Sequence, residues 1–559
     1  MCSSENVSTT KSQCHRMPWI MRLGDEFLPE SQLGAAYQTT RMDHEMRLNV
    51  NCNPRPGRLT GLMITLGDNN SHPNGIRDII SAGVDMLRIN MSHKDEKWHA
   101  ITVQSIKEAE QSIDKCSTES YPVGITMDLR GPEIRTGIFN GDENNMGYAD
   151  LKEGNTVRLM IDNTVRRAGA ASCFWVSCPE LPGLSQIGDR ILIDRGTVEL
   201  IVIGISECYV TCKIVKGGRI SNEKIVHLID TSIDLPQVSE QDDIDIGLAL
   251  EYECDFLIVS HARDGKMICA VKDRAKQLGL KPICVLGKIS TQQGLDCFDD
   301  ILKVSDGIMV DRTGIEVHIQ IEKVFVAQKS IIAKCNRLGK PVIVAFDVKN
   351  QECSHGNMSQ IANAVLEGAD SIHLRTGNLD VMETIQLVKK VDIVCREAES
   401  ARWQRQLFEE LSYKTLIPLD PTHSISVAAV ETSMKCNAAA IVVTTTTGRT
   451  AMMLSIYRPR CPIIAITRYG IVARWLQIYF GVHPVQYQDS PLSNWCKDMD
   501  ARIQCAMDYL RREQLINVGD AVVIVSGWRQ GGGFTNCIRL VYASPGRIPN
   551  RGDDFEESW

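Results

Sequence analysis

The sequence predicts an α/β protein: a (β/α)8 TIM barrel, a small β-barrel lid inserted into it, and a further α/β domain behind it. Three observations carry that expectation. Eight apolar strand-like runs, most followed by an amphipathic stretch, lie between Leu62 and Leu374. About 105 residues with their own short runs interrupt the series after its third strand, and a second alternating series begins near residue 403.

The eight runs are Leu62–Leu66, Asp85–Ile89, Val123–Asp128, Phe256–Ser260, Ile283–Leu286, Gly307–Val310, Val342–Ala345 and Ser371–Leu374. They are short and almost continuously apolar, as strands buried on both faces of a parallel sheet must be. Helical spacing follows over Ile76–Ala82, Trp98–Ile113, Gly265–Gln277, Glu322–Arg337 and Gln360–Glu367, the last two ended by Gly339 and Gly368. The interruption, 131–235, contains "RILID", "TVELIVIGI" and "YVTCKIV" with a turn at Lys216-Gly217-Gly218. Inserted at a βα loop, such a unit caps the barrel's C-terminal face. Later come "AAAIVVTTTT", "CPIIAIT", "VHPVQY" and "DAVVIVSG", the strands of a mainly parallel sheet. The expected division is a tail over 1–31, an N-terminal helical segment over 32–57, the barrel over 58–130 and 236–402, the lid over 131–235, a C-terminal α/β domain over 403–544 and a second tail over 545–559.

A chain of 559 residues, 43% hydrophobic, can bury a large core. With 61 basic and 69 acidic residues it carries a formal charge of -8, which excludes a general attraction to nucleic acid or to an anionic membrane. The 20 cysteines form no Cys-x-x-Cys pair, and Cys284, Cys335 and Cys395 fall inside apolar runs, so they read as reduced core thiols. Neither a signal segment nor an apolar run of the ~20 residues that span a bilayer is present, and the expected location is the cytoplasm.

Barrel chemistry sits at the carboxyl ends of strands. The second run ends in Arg88-Ile89-Asn90-Met91-Ser92-His93, the third in Asp128-Leu129-Arg130-Gly131-Pro132-Glu133-Ile134-Arg135, the fourth in Ser260-His261-Ala262-Arg263, and the fifth leads into Lys288 and Ser290. Arg88, Arg130, Arg135, Arg263 and Lys288 are therefore expected to converge on one mouth and to suit a phosphate or carboxylate. Asn90, Ser92 and Asp128 offer oxygens that suit a monovalent cation. In the C-terminal part, Thr444-Thr445-Thr446-Thr447-Gly448-Arg449-Thr450 links an apolar strand to a helix, so its hydroxyls and N–H groups suit a phosphate.

The segments "LRINMSH" (87–93), "MDLRGPEIRTG" (127–137), "IDLPQVSEQD" (233–242), "SDGIMV" (305–310), "ANAVLEGAD" (362–370) and "SGWRQGGGFTN" (526–536) resemble, in that order, those of the pyruvate kinase family. The resemblance implies the fold read above, assembly with pyruvate kinase-like subunits, and transfer of the phosphoryl group of phosphoenolpyruvate to ADP with Mg2+ and K+. It gives Arg88 and Lys288 catalytic contacts with the transferring group, makes Arg135 and Ser260 further substrate positions, and makes Asn90, Ser92 and Asp128 the K+ ligands. It implies a sugar bisphosphate effector on Thr445, Thr446, Thr447, Gly448, Arg449 and Thr450, with Trp495 and Arg502 at its other phosphate.

The departures from the family cluster at the mouth. Its two magnesium-binding acids are replaced by Ser290 and Gly314, its enolate-protonating threonine by Phe346, and its "MLSGETA" by "HLRTGNL" (373–379). Leu129 and Arg130 stand for threonine and lysine, Arg195 for an acid in the lid, and Thr446 for a lysine in the effector loop. The resemblance and these departures from it together imply a pyruvate kinase-like protein with phosphotransfer lost or much reduced, the alternative being an active enzyme whose metal has moved to Asp311, Glu316 or Asp347.

Overall fold

The computed structural model describes residues 32–114, 122–131, 133–139, 147–229, 236–279, 282–348, 355–415, 417–529, 531, 533 and 535–544. Both expected tails, the loop 349–354 and parts of the "SGWRQGGGFTN" segment lie outside the described residues. Eight parallel strands close a barrel in chain order: β1 (Gly61–Thr65), β2 (Met86–Asn90), β3 (Gly124–Asp128), β4 (Phe256–Val259), β5 (Cys284–Ile289), β6 (Gly307–Asp311), β7 (Val342–Asp347) and β8 (Ser371–Arg375), with β8 pairing back onto β1. The expected eight-fold series is this barrel. Its outer strand faces pack on the helices in one continuous core that includes Ile64, Ile89, Val259 and Ile289. Inside, Met63, Met86, Phe256, Leu286, Met309 and Ile343 fill the end away from the mouth, where Ile478 of the C-terminal part joins them.

Local signals set several boundaries. Ser239 and Asp242 form a reciprocal capping box that starts the helix Glu240–Glu251, as Asp380 and Glu383 do for Val381–Ser400. Gly339, with φ 66°, ends Val324–Leu338 in the left-handed conformation that glycine adopts without a Cβ clash.

One boundary corrects the sequence reading. The fifth run was expected to end at Leu286, with Gly287 opening a loop; instead β5 continues through Ile289, so Lys288 projects from a strand. Gly287 is there for packing: a Cβ on it would lie 3.0 Å from Ile301 and 3.1 Å from the Ser305 hydroxyl.

The insertion is a separate sheet unit around its own core of residues such as Val157, Phe174, Leu200 and Val210. Six strands form one sheet, and a ribbon pairs Tyr148–Leu151 with Gly218–Ser221. The two edges of the six-stranded sheet are joined through one segment, because Arg135 bridges to Ile225 and Thr136 to Val176. The sheet thereby curls on itself, as a small barrel requires.

The C-terminal sheet runs β11-β10-β9-β12-β13, with β9 (Ala440–Thr444), β10 (Ile463–Thr467), β11 (Val482–Gln486), β12 (Ala521–Gly527) and β13 (Thr535–Tyr542). Only β13 is antiparallel, and separate apolar clusters cover the two faces. Burial pushes the Cys212 thiol up to about 12, and Cys335 and Cys395 are likewise buried in apolar cores. Among the described residues no helix is long and apolar enough to cross a membrane.

Candidate active site

Asp128, the last residue of β3, is 0% exposed and sits at the centre of the mouth. Lys288 Nζ donates to its two carboxylate oxygens at 2.8 and 3.0 Å, Arg88 Nε donates at 2.9 Å, and the Ser260 hydroxyl donates at 2.7 Å. Four adjacent strands thus deliver one buried ion cluster. Burial alone would raise the Asp128 pKa, but Lys288 and Arg88 outweigh it and hold the carboxyl well below its ordinary range. Arg88 Nη1 also donates to Thr65 Oγ1 at 3.0 Å, and that oxygen meets His373 Nε2 at 2.8 Å. Two cations against one acid leave the cluster with one net positive charge.

Of the five cations expected to converge, Arg88 and Lys288 meet on Asp128 and Arg135 stands near them, since it and Lys288 both act on Glu133, whereas Arg130 and Arg263 have partners of their own. Arg130, beyond the end of β3 where Gly131 turns the chain at φ 70°, pairs with Asp245 at 3.3 Å. Arg263 donates to the Pro236 carbonyl at 2.8 Å. Arg135 is held by Glu133 and by the Glu223 carbonyl at 2.8 Å. Of the five, Arg88 and Lys288 are the two that bond the same acid.

Ser290 and Gly314, where the family resemblance puts metal-binding acids, supply no carboxylate. Ser290 Oγ lies 2.8 Å from His261 Nδ1, and His261 Nε2 lies 3.3 Å from Glu133 Oε1. Gly314 packs against Ser290 so closely that a Cβ on it would stand 2.6 Å from Ser290 Cβ. Gly314 N donates to Asp311 at 3.2 Å.

Two of the remaining acids, Asp311 and Asp347, are spanned by an arginine that sequence reading passed over. Arg375, at the end of β8, reaches Asp311 and Asp347 at 2.7 Å each, and Arg195 of the lid reaches Asp347 at 2.6 Å. Burial raises the pKa values of both carboxyls, yet Arg375, with Lys288 beside Asp311 and Arg195 beside Asp347, brings them below the ordinary range. Glu316 is exposed, and its neighbour Arg312 lies over the ring of the buried Phe346 at 5.4 Å. The only signal for Arg375 was its place in "HLRTGNL", and nothing local tied it to residues 28 and 64 positions away. Among the described residues no group of three or more His, Cys, Asp or Glu side chains is arranged to hold a metal ion.

These carboxyls are expected to make the fold acid-sensitive. Burial pushes Glu133 up, but the hydrogen bond and charge of His261 together with Arg135 bring it down to about 2, and Asp128 is lowered likewise. A depressed folded-state pKa stabilises fully above the unfolded value of about 4 and is lost as pH falls through it towards the folded value. The thermal midpoint is expected to fall steadily between about pH 5 and pH 3, less steeply in Glu133→Gln, as circular dichroism melts will record.

At the C-terminal loop, Thr445 Oγ1 accepts from Gly448 N at 2.9 Å, and Gly448 takes φ 82° before the helix Arg449–Ile456. Thr446 and Thr447 are exposed, Arg449 donates to Asp420 at 2.9 Å, and the Thr450 hydroxyl meets that of Thr535 at 3.0 Å. Trp495 opens the helix Trp495–Arg512, on which Arg502 donates to Asp498 at 2.7 Å. Asp498 also takes Arg468 at 2.7 Å.

A closed parallel barrel with a sheet unit inserted after its third strand, and with polar side chains gathered at its strand ends, is a (β/α)8 barrel with its candidate site on the C-terminal face. Comparison narrows the class. The family description "Pyruvate kinase, barrel domain" matches residues 57–379, and "Pyruvate kinase, alpha/beta domain" matches 423–541. "Pyruvate kinase PKLR" of Homo sapiens is 36% identical over 527 residues, 93% of this chain and 91% of the relative. The pyruvate kinase of Trypanoplasma borreli is 32% identical over 509 residues, covering 90% of this chain and 99% of its own. That of Candida albicans is 30% identical over 492 residues, 87% and 96% of the two chains. This chain belongs to the pyruvate kinase family.

Proposed function

We propose that this chain is a pyruvate kinase relative in which transfer of the phosphoryl group from phosphoenolpyruvate to ADP is lost or severely reduced, and that it acts in the cytoplasm as a binding or regulatory subunit. One observation carries the reading: the two expected metal-binding positions are a hydroxyl and a glycine, and Asp128, Asp311, Asp347 and Glu133 near them are each engaged by a cationic side chain or an imidazole. A protein usually holds Mg2+ through one or two carboxylates, with waters and substrate oxygens completing the shell, so these residues do not fit Mg2+ at the positions the family resemblance implies. For K+, Asn90 and Ser92 keep oxygen donors, while Asp128 has its oxygens committed to Lys288, Arg88 and Ser260.

What the mouth retains is the net positive charge of Lys288 and Arg88 over Asp128, beside Arg135 and Ser260. That suits phosphoenolpyruvate or a similar small anion held without turnover. A sugar bisphosphate on the Thr445–Thr450 loop, with Trp495 and Arg502, and assembly with identical or related subunits complete the proposal.

The alternative, an active enzyme with a displaced metal, rests on Asp311 and Asp347 both lying at the mouth. It requires Arg375 to leave both carboxylates. The discriminating experiment is pyruvate formation from phosphoenolpyruvate and ADP, coupled to a pyruvate-consuming dehydrogenase, with Mg2+ or Mn2+ at high protein concentration. Background rates support the proposal. Turnover abolished by Lys288→Met contradicts it.

A further inference from the structure

Ser290 and His261 form, with Glu133, a hydrogen-bonded series in the order hydroxyl, imidazole, carboxylate. Ser290 Oγ to His261 Nδ1 is 2.8 Å and His261 Nε2 to Glu133 Oε1 is 3.3 Å, within or just beyond the reach that such groups keep before a substrate tightens them. The series comes from three separate chain segments, after β3, β4 and β5. His261 is held at φ 53°, a left-handed conformation that costs a non-glycine residue energy and that collects at functional sites.

The proton order follows from the carboxylate. Glu133 is ionised at neutral pH, since the hydrogen bond from His261 and the charge of Arg135 act against its burial. An ionised carboxylate only accepts, so Nε2 carries a proton, and in the neutral imidazole Nδ1 then presents its lone pair to the Ser290 hydroxyl. Along β5, Ile289 faces the outer core, so its neighbours Lys288 and Ser290 project to the mouth side. Lys288 spends two N–H bonds on Asp128 and has three to give, which leaves one donor for a developing oxyanion on that side.

We propose that this series is a serine hydrolase site of the Ser-His-Glu type, acting on small carboxylic esters that enter the barrel mouth. Ser290 Oγ bonds to the ester carbonyl carbon as its proton passes to His261 Nδ1, and the carbonyl π pair moves to the oxygen, met by Lys288. Collapse breaks the bond to the alcohol oxygen, which takes the proton back from His261. Water repeats the two steps on the acyl-serine, releasing the carboxylic acid and restoring Ser290. The inference is independent of whether phosphotransfer survives, since neither Ser290 nor His261 is assigned a part in that chemistry.

Ser290 is 1% exposed and His261 20%, so the hydroxyl is approached past the imidazole and the reagent must be small. The full-length protein is treated with a methyl-sized alkyl fluorophosphonate, whose P–F bond breaks as Oγ–P forms, and adducts are mapped by peptide mass spectrometry. An adduct on the Ser290 peptide, slowed at least ~10²-fold in His261→Gln, supports the site. A burst of one equivalent of nitrophenolate from p-nitrophenyl acetate, absent in Ser290→Ala, supports it by a second route. No adduct on Ser290 in protein that still melts cooperatively overturns the proposal, as does equal labelling in His261→Gln.

Discussion

Supplied with phosphoenolpyruvate, ADP and saturating Mg2+ or Mn2+, the protein is expected to form pyruvate at least ~10⁴-fold more slowly than the human relative assayed beside it. The magnitude comes from charge. A bound divalent ion neutralises several oxygens at once, and losing one preorganised electrostatic element typically costs ~10²–10³ in rate. Here the two positions where the family resemblance implies metal-binding acids, Ser290 and Gly314, carry none, and at the position where it implies a proton-transferring hydroxyl stands the buried ring of Phe346. Ser290→Glu alone is expected to leave the rate unchanged within about tenfold. The second acid has no room, since a Cβ at 314 would stand 2.6 Å from that of residue 290. A coupled spectrophotometric assay of the chain and of Ser290→Glu checks both statements.

Asp128→Asn is expected to destabilise the fold by about 3–5 kcal/mol, the usual result of removing one partner from a buried ion pair. Asp128 neutralises Lys288 and Arg88 together, and both are almost wholly buried. With the carboxylate gone, two cations face each other without an acid between them. Replacing Lys288 by methionine is expected to cost less, because Asp128 keeps Arg88 and the Ser260 hydroxyl. The order of the two urea midpoints is the check: Asp128→Asn below Lys288→Met, and both below the unaltered chain.

The barrel was legible because strands buried on both faces read as unbroken apolar runs, and seven of the eight ended close to where the sequence placed them. β5 ran past its expected end because Gly287, a loop signal in isolation, is required by the close approach of Ile301. Ser290 and Gly314 were legible as departures, since a missing acid is visible at its own position. The pairing of the surviving charges was not. Asp311, Asp347 and Arg375 end three different strands, and no local pattern says that one guanidinium will bridge two of them. Nor does any pattern say that Arg130 will turn outward to Asp245 while Arg88 stays inside. The His261–Ser290 contact was hidden for the same reason: each residue looked ordinary until β4 and β5 brought them together.

The account depends on the mouth's acids being occupied by the protein's own positive side chains, and Mn2+ electron paramagnetic resonance tests that directly. In the presence of phosphoenolpyruvate, Mn2+ is expected to keep its free-ion spectrum, with any binding weaker than ~1 mM. One equivalent of Mn2+ bound well below that concentration, and released by Asp311→Asn or Asp347→Asn, would contradict it.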